Sequence, residues 1–200
     1  MRLNEPVFRR IEPLVRELMP ALEPHLQEPF VFFGHSMGAL VAFEMARALR
    51  RTAMSLPLHL VVSGLSAPQI PRQPPHTFEL PEAEFVERIR ELEGTPEGVL
   101  EHAELCDLVL PILRAEFELS EMYVCGDEPP LDCPVTAYGG LADRDVPREH
   151  VEAWRQQTST SFSFRMFQGG HLFIHSAQNT LLNMLLQDVY PTAKRAGLIR

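Results

Sequence analysis

The pattern Gly34-x-Ser36-x-Gly38 sets Ser36 in a position from which a serine hydroxyl can act as a nucleophile. It follows an apolar run of strand length, residues 30–33, and precedes a stretch rich in helix formers. A sharp turn from strand to helix exposes the serine, and side chains at Gly34 or Gly38 are expected to collide with the neighbouring strand and helix. The Met37 amide, at the start of the helix, is expected to face an oxyanion that forms beside Ser36.

A serine hydroxyl is a weak nucleophile at neutral pH, so it requires an adjacent base, which in turn requires an orienting carboxylate. His171 is the candidate base, because it follows the alternating segment 162–167 and two glycines that allow the backbone to turn sharply. Two carboxylates, Asp143 and Asp145, follow the strand-like segment 133–138. Since the carboxyl ends of parallel strands meet at one edge of a sheet, these groups are expected to cluster beside the serine.

The residue pattern favours Asp143 as the acid and leaves Asp145 as the alternative. Asp143 leads a turn, Gly140-x-x-Asp143-x-x-Val146, in which Val146 would anchor the loop. Asp145 would otherwise serve as a loop-structuring carboxylate. The resulting order along the chain, serine then acid then histidine, is the order found in α/β-hydrolases.

The remaining histidines receive structural interpretations. His175 lies four residues beyond His171, a spacing that metal-binding pairs use on helices, but no further ligand pattern accompanies it, so we expect no metal site. His35, next to the serine, is expected to shape the turn and not to act as the base.

The elements around these residues alternate between helix and strand. An amphipathic helix over residues 11–26, interrupted by prolines, precedes the turn at Ser36, and residues 58–64 form a second buried-type strand. This alternation predicts an α/β domain with a mainly parallel sheet flanked by helices.

Residues 67–130 break the alternation. They hold a proline-rich stretch and then amphipathic helices, one restarting at residues 94–97 and one over 108–122 with Pro111 in its first turn. Helices inserted between two strands are typical of a lid or substrate-binding cap, with a plain helical extension of the core as the alternative. We therefore expect a core of residues 1–66 and 131–200 with a helical lid insertion of residues 67–130.

The composition is that of an ordinary globular protein, with 45% hydrophobic and 22% charged residues. A net charge of −9 without a basic cluster argues against nucleic-acid binding, and no apolar run approaches the ~20 residues of a membrane span. The amino terminus lacks an apolar signal segment, and the three cysteines lack metal-type spacing. We therefore expect a cytoplasmic monomer.

The chain resembles the type II thioesterases that accompany non-ribosomal peptide and polyketide synthases, and it is similar to the medium-chain acyl thioesterase of fatty-acid synthesis. The resemblance covers nearly the whole chain and is carried by the segments 29–39, 58–64, 111–117, 139–143 with 152–154, and 167–173. It implies an α/β-hydrolase fold and hydrolysis of acyl thioesters on the phosphopantetheine arm of an acyl or peptidyl carrier protein, in an editing role. It carries over Ser36 as nucleophile, Asp143 as acid, His171 as base and the insertion as a lid, with no cofactor beyond the substrate's own arm.

The chain departs from this family in one respect. Family members normally begin with further strands and a Gly-rich loop, often Pro-x-Ala-Gly-Gly, that supplies a second oxyanion amide. These 200 residues contain no such loop, so the resemblance predicts an N-terminally truncated chain with exposed hydrophobic sheet edges. Losing one oxyanion donor typically lowers turnover about 10²–10³-fold. The alternatives are a carboxylic-ester hydrolase or acyltransferase with the same triad, or an inactive truncated module that binds a carrier protein.

Overall fold

A four-stranded parallel sheet organises the residues that the computed structural model describes, 5–92, 97–100 and 102–199. Its strands pair in sequence order and are β1 (Val31–His35), β2 (His59–Ser63), β3 (Val135–Gly140) and β4 (Phe162–Phe167). Helices cover both faces of such a sheet, and its inner strands are therefore buried on both sides, as the fully buried β2 and β3 show. The predicted α/β class is confirmed.

Eight α-helices lie in the described part of the chain: α1 (Ile11–Leu22), α2 (Met37–Arg51), α3 (Glu82–Glu91), α4 (Glu97–Leu100), α5 (Ala103–Glu121), α6 (Arg148–Glu152), α7 (Phe173–Ser176) and α8 (Gln178–Arg195). Short 3₁₀ turns cover Glu23–His25, Thr77–Glu79 and Ala153–Gln157. Helices α1, α2 and α6 pack on one face of the sheet, whereas α7 and α8 pack on the other. None of these helices is long and apolar enough to cross a membrane.

The sequence predicts helix starts near Pro111 and at residues 94–97. Pro111 was expected in a first turn, but α5 begins at Ala103, so Pro111 lies inside it and that prediction is wrong. Leu110 is buried against α3 and α4 and Leu119 against the main core, and this burial offsets the local cost of a proline in the helix. Residues 94–96 of the predicted helix restart at 94–97 lie outside the described residues. The last residue of that segment, Glu97, is the first residue of α4.

Strand β1 is one of the two edge strands of the sheet, and its outer side has no partner strand among the described residues. Val31 and Phe33 on this strand are 38% and 41% exposed. Their exposure agrees with the expectation of an uncovered hydrophobic edge.

A buried ionic cluster joins α2 to the segment that follows α5. The Arg47 guanidinium, 3% exposed, donates to Glu44 at 2.8 Å and to the Gly126 carbonyl at 2.8 Å. The Tyr123 hydroxyl donates to the same Glu44 carboxylate at 2.6 Å. The chain leaving the helical insertion is therefore fixed to the helix that carries Ser36 at its N-terminus.

Helix α8 is fixed to the sheet by Asp188. Its carboxylate accepts hydrogen bonds from the Tyr138 hydroxyl on β3 and the Arg165 Nε on β4, both at 2.7 Å. Burial alone would raise the pKa of Asp188, but these two donors lower it below its ordinary value. The charged form of Asp188 therefore stabilises the attachment of α8.

We expect Asp188→Asn to lower the free energy of unfolding by roughly 1.5–3 kcal/mol at pH 7, the range for hydrogen bonds to charged groups. Because the pKa of Asp188 is depressed in the folded state, this stabilisation is fully present above the unfolded-state pKa near 3.9 and is lost as pH falls through the folded-state pKa. Urea denaturation of both proteins at pH 7 and pH 3 measures the difference. An equal difference at both pH values would contradict the assignment of the effect to the charge.

Candidate active site

Ser36 sits at the sharp turn between β1 and α2. Its backbone angles are φ 52° and ψ −125°, a strained combination for a residue with a side chain. Its N–H donates to the Ser63 carbonyl at 2.7 Å, and its own carbonyl accepts from the Ala39 N–H at 2.9 Å. The turn is therefore held on both sides, by the neighbouring strand and by the first turn of the helix.

The two glycines of the turn differ in what they allow. A Cβ at Gly34 would lie 2.1 Å from the Gly38 carbonyl oxygen, so the strand and helix approach each other over a bare backbone. A Cβ at Gly38 would meet no atom within 4 Å. The predicted collision is therefore confirmed at Gly34 and wrong at Gly38, where the close contact is made by the carbonyl and not by the side-chain position.

We expect Gly34→Ala to lower the free energy of unfolding by roughly 3 kcal/mol, because a backbone carbonyl cannot move aside as a flexible side chain can. The matched control is Gly38→Ala, for which stability should stay the same or rise by up to about 1 kcal/mol from helix propensity. Chemical denaturation of the two variants measures the contrast. Equal stabilities for the two variants would show that the turn is more plastic than its geometry implies.

His171 reaches Ser36 from the turn after β4. The glycine before this turn, Gly169, has φ 122°, which a residue with a side chain rarely adopts. The turn lies against the end of β3, since a Cβ at Gly140 would be 2.4 Å from the Gly170 carbonyl oxygen. The His171 Nε2 lies 2.9 Å from the Ser36 Oγ. The two predicted residues are thus in hydrogen-bond contact although 135 positions separate them.

Asp143 completes the chain of hydrogen bonds. Its Oδ2 lies 2.9 Å from the His171 Nδ1, and its Oδ1 accepts from the amides of Asp145 and Val146 at 2.9 and 3.2 Å. Burial alone would raise the pKa of Asp143, but His171 and the two amides lower it below its ordinary value. An ionised Asp143 accepts the Nδ1–H of His171 and leaves Nε2 free to accept the Ser36 proton.

Asp145, the alternative acid, points elsewhere. Its carboxylate forms an ion pair with Arg88 of α3, so it joins the helical insertion to the turn that presents Asp143. Of the two carboxylates that the residue pattern left open, Asp143 is the one that contacts the His171 ring.

His35 packs behind the pair without touching the serine hydroxyl. Its Nδ1 lies 3.0 Å from the Ser63 Oγ, and its ring centroid lies 5.3 Å from that of His171 and 5.5 Å from that of Phe173. Burial, together with the nearby His171, lowers the pKa of His35 to about 4. It is therefore neutral near pH 7 and fits the predicted structural role.

The Met37 amide is the first of α2, so its N–H has no acceptor within the helix. Met37 also lines the cavity next to Ser36. The orientation of this N–H toward an oxyanion stays a prediction, for which the preference of helix N-termini for negative charge is the physical reason.

A cavity of about 420 Å³ opens beside Ser36 and His171. Such a volume accommodates a small ligand. Its wall combines residues of the core with residues of the insertion, among them Met37, Leu65, Val146, Arg72, Leu80, Arg88, Glu116 and Phe117. Within the part of the chain that the structure describes, no group of three His, Cys, Asp or Glu side chains is placed to hold a metal ion.

Sequence reasoning missed the polar residues of this wall. Arg88 lies on α3 and Glu116 lies in the segment 111–117 of α5, and no local pattern marks either one as a site residue. Both reach the cavity because α3 and α5 pack beside the turns that carry Ser36 and His171. No local sequence pattern predicts this packing.

Comparison with known proteins gives consistent matches. The Thioesterase domain family matches residues 1–188. A Brevibacillus parabrevis protein named linear gramicidin dehydrogenase LgrE is 46% identical over 187 residues, covering 92% of this chain and 71% of that protein. The gramicidin S biosynthesis protein GrsT of Aneurinibacillus migulanus is 38% identical, covering 90% and 70%. The solved structure of RedJ, a thioesterase from the prodiginine biosynthetic pathway of Streptomyces coelicolor, has a TM-score of 0.86 at 40% identity, covering 92% and 73%.

Proposed function

The chain belongs to the thioesterase domain family, hydrolases of α/β-hydrolase fold that act on thioester bonds, and we propose that its substrates are acyl groups held on the phosphopantetheine arm of a carrier protein. The observation that carries this proposal is the continuous hydrogen-bond chain from Ser36 through His171 to Asp143. This arrangement activates a serine hydroxyl for attack on an acyl carbon.

In the proposed reaction, the Ser36 Oγ attacks the thioester carbonyl while the His171 Nε2 takes the hydroxyl proton. Met37 donates its N–H to the oxyanion of the tetrahedral intermediate. The C–S bond then breaks, and His171 returns the proton to the departing thiolate, which leaves an acyl-Ser36 ester. A water molecule, deprotonated by His171, attacks this ester; the bond to the Ser36 Oγ then breaks, His171 returns the proton to that oxygen, and the carboxylic acid is released. Asp143 holds the imidazole in the required tautomer and stabilises its charged form throughout.

The helices of residues 67–130 are proposed to act as the lid over this reaction. The support is that α3 and α5 supply cavity wall through Arg88, Glu116 and Phe117, opposite the core residues beside Ser36. A wall built from an inserted segment can exclude bulk water from the cavity while the acyl group binds.

The partner is proposed to be an acyl or peptidyl carrier protein of a non-ribosomal peptide or polyketide synthase, in the cytoplasm, where the enzyme would clear unwanted acyl groups. The support comes from relatives named for gramicidin S biosynthesis and the prodiginine pathway. We do not extend the dehydrogenase activity in the name of the Brevibacillus relative to this chain. A serine hydrogen-bonded to a histidine–aspartate pair is an arrangement that catalyses acyl transfer.

Two rivals share parts of this site. An ester hydrolase or acyltransferase would use the same three residues, and the family match favours the thioesterase over both. A non-catalytic carrier-binding module would not need the strained backbone of Ser36 or its contact with His171.

Release of free acid from a carrier protein loaded with a radiolabelled acetyl or propionyl group tests the proposal. The matching oxygen esters and an added amine or alcohol acceptor provide the controls for the two enzymatic rivals. We expect acid release from the thioester, slower hydrolysis of the oxygen ester, and no acyl transfer to the acceptor. Absence of acid release from folded protein would refute the proposal.

A further inference from the structure

Glu116 stands out among the cavity residues that the proposed reaction does not use. It lies on α5, and its side chain lines the same cavity as Ser36 and His171. It is half-buried, and burial raises the pKa of its carboxyl. Across the described residues, no hydrogen bond or ion pair reaches its carboxylate, so no protein group replaces the part of its hydration that burial removes.

Two arginines, Arg114 on α5 and Arg88 in the cavity wall, have other contacts. Arg114, two positions earlier on α5, donates to the carbonyls of Phe78 and Leu80 and lies 4.1 Å above the Phe85 ring. Arg88 is paired with Asp145. Arg72 lines the cavity too, but forms no ion pair with Glu116 within 4 Å. The protein thus leaves this carboxylate facing the cavity without a cation of its own.

The two neighbouring carboxylates of α5, Glu118 and Glu121, are in a different situation. Glu121 also lines the cavity, but it accepts the Phe78 N–H at 3.3 Å. Glu118 lies outside the cavity and pairs with Arg9 and Arg10 at 2.6 and 2.9 Å. Glu116 therefore differs from both in facing the substrate space with its hydrogen-bonding capacity unused.

We infer that Glu116 is a specificity-determining residue that binds the ammonium group of aminoacyl thioesters. The inference rests on the proposed function and names a substrate class for that site. A carboxylate that is already partly desolvated loses little further hydration when a cation arrives, and it gains a charge-assisted hydrogen bond. An acyl group of the same shape with a methyl in place of the ammonium would leave the carboxylate unpaired, which is the stronger form of discrimination.

Pairs of isosteric substrates test the inference. Glycyl and propionyl thioesters of N-acetylcysteamine differ only by ammonium against methyl, and β-alanyl and butanoyl thioesters repeat the comparison one carbon deeper. The measurement is the ratio of kcat/KM within each pair, corrected for spontaneous hydrolysis, for the wild type, Glu116→Gln and Glu118→Gln. Comparing each variant's ratio with the wild-type ratio removes the intrinsic reactivity of the aminoacyl thioesters.

We expect Glu116→Gln to reduce the amino-over-alkyl ratio about tenfold in at least one pair, while Glu118→Gln leaves both ratios unchanged. Ratios within twofold of wild type in both pairs would overturn the inference. A general loss of stability would lower both members of a pair together and leave their ratio intact, so it cannot imitate the expected result.

A binding measurement separates this inference from the proposed function. Calorimetric titration of Ser36→Ala with the same four thioesters, with and without Glu116→Gln, reports recognition without turnover. Tighter binding of the amino member that disappears with Glu116→Gln supports the inference even if no thioester is hydrolysed by the wild type. Equal binding of both members by Ser36→Ala overturns it, whereas acid release by the wild type would leave the proposed function standing.

Discussion

The Ser36→Ala variant is expected to lose thioester hydrolysis by about 10⁴–10⁶-fold, the range for removing a nucleophile that acts as a unit with its base. The hydroxyl lies 2.9 Å from the His171 Nε2, and no neighbouring hydroxyl replaces it in that contact among the described residues. Steady-state release of free acid from an acyl-pantetheine thioester measures the loss. Ser55→Ala is the matched control and should retain wild-type turnover, because Ser55 is exposed and follows the C-terminal end of α2, whereas Ser36 lies at its N-terminal end.

Labelling by a fluorophosphonate examines the same pair without requiring a substrate. A single adduct on the intact wild-type protein that is absent from Ser36→Ala, and present in Ser55→Ala, is the expected mass-spectrometric result. It would show that Ser36 and His171 form a working nucleophile and base. Absence of the adduct from folded wild-type protein would count against hydrolase activity of these 200 residues.

The second large effect is expected at Asp143. Asp143→Asn should lower kcat/KM about 10³–10⁴-fold, because an amide in place of the carboxylate favours the wrong His171 tautomer and cannot stabilise the imidazolium. Circular dichroism and the unfolding midpoint establish that the variant is folded. The measurement is kcat/KM on the same pantetheine thioester used for Ser36→Ala.

Asp145→Asn is the matched control for this variant, since it makes the same chemical change two residues away. It breaks the ion pair with Arg88 but leaves the contact between Asp143 and His171, so we expect less than a tenfold loss. If Asp145→Asn matched the loss of Asp143→Asn, the acid would have been assigned to the wrong carboxylate.

The positions of Ser36 and His171 could be predicted because their signals are local. A strand, a glycine-flanked serine and a helix form a turn whose geometry follows from the residues themselves, and the parallel sheet then brings later strand ends to the same edge. Local signals could not decide whether Asp143 or Asp145 is the acid, since both lie in one short turn. The distinction depends on which carboxylate accepts the Val146 N–H and which one pairs with Arg88.

The cavity wall was beyond sequence reasoning for a different reason. Glu116 and Arg88 lie on helices whose amphipathic spacing predicts an inward face, but the spacing does not say which edge of the sheet that face will cover. The error at Gly38 has the same origin, because the pattern specifies a close approach without specifying which atom makes it. Contacts between elements far apart in sequence decide the positions of Glu116 and Arg88, whereas the contact at Gly38 depends on the exact backbone geometry of one short turn.

The ion pair between Arg88 and Asp145 makes the enzyme sensitive to ionic strength in a selective way. The two side chains are 27% and 33% exposed, so dissolved salt screens their attraction. The Asp143 side chain is 1% exposed, and its hydrogen bonds to His171 and the amides are shielded from the same ions. Rising salt is therefore expected to weaken the link between α3 and the turn of Asp143 while leaving the hydrogen bonds of Asp143 intact.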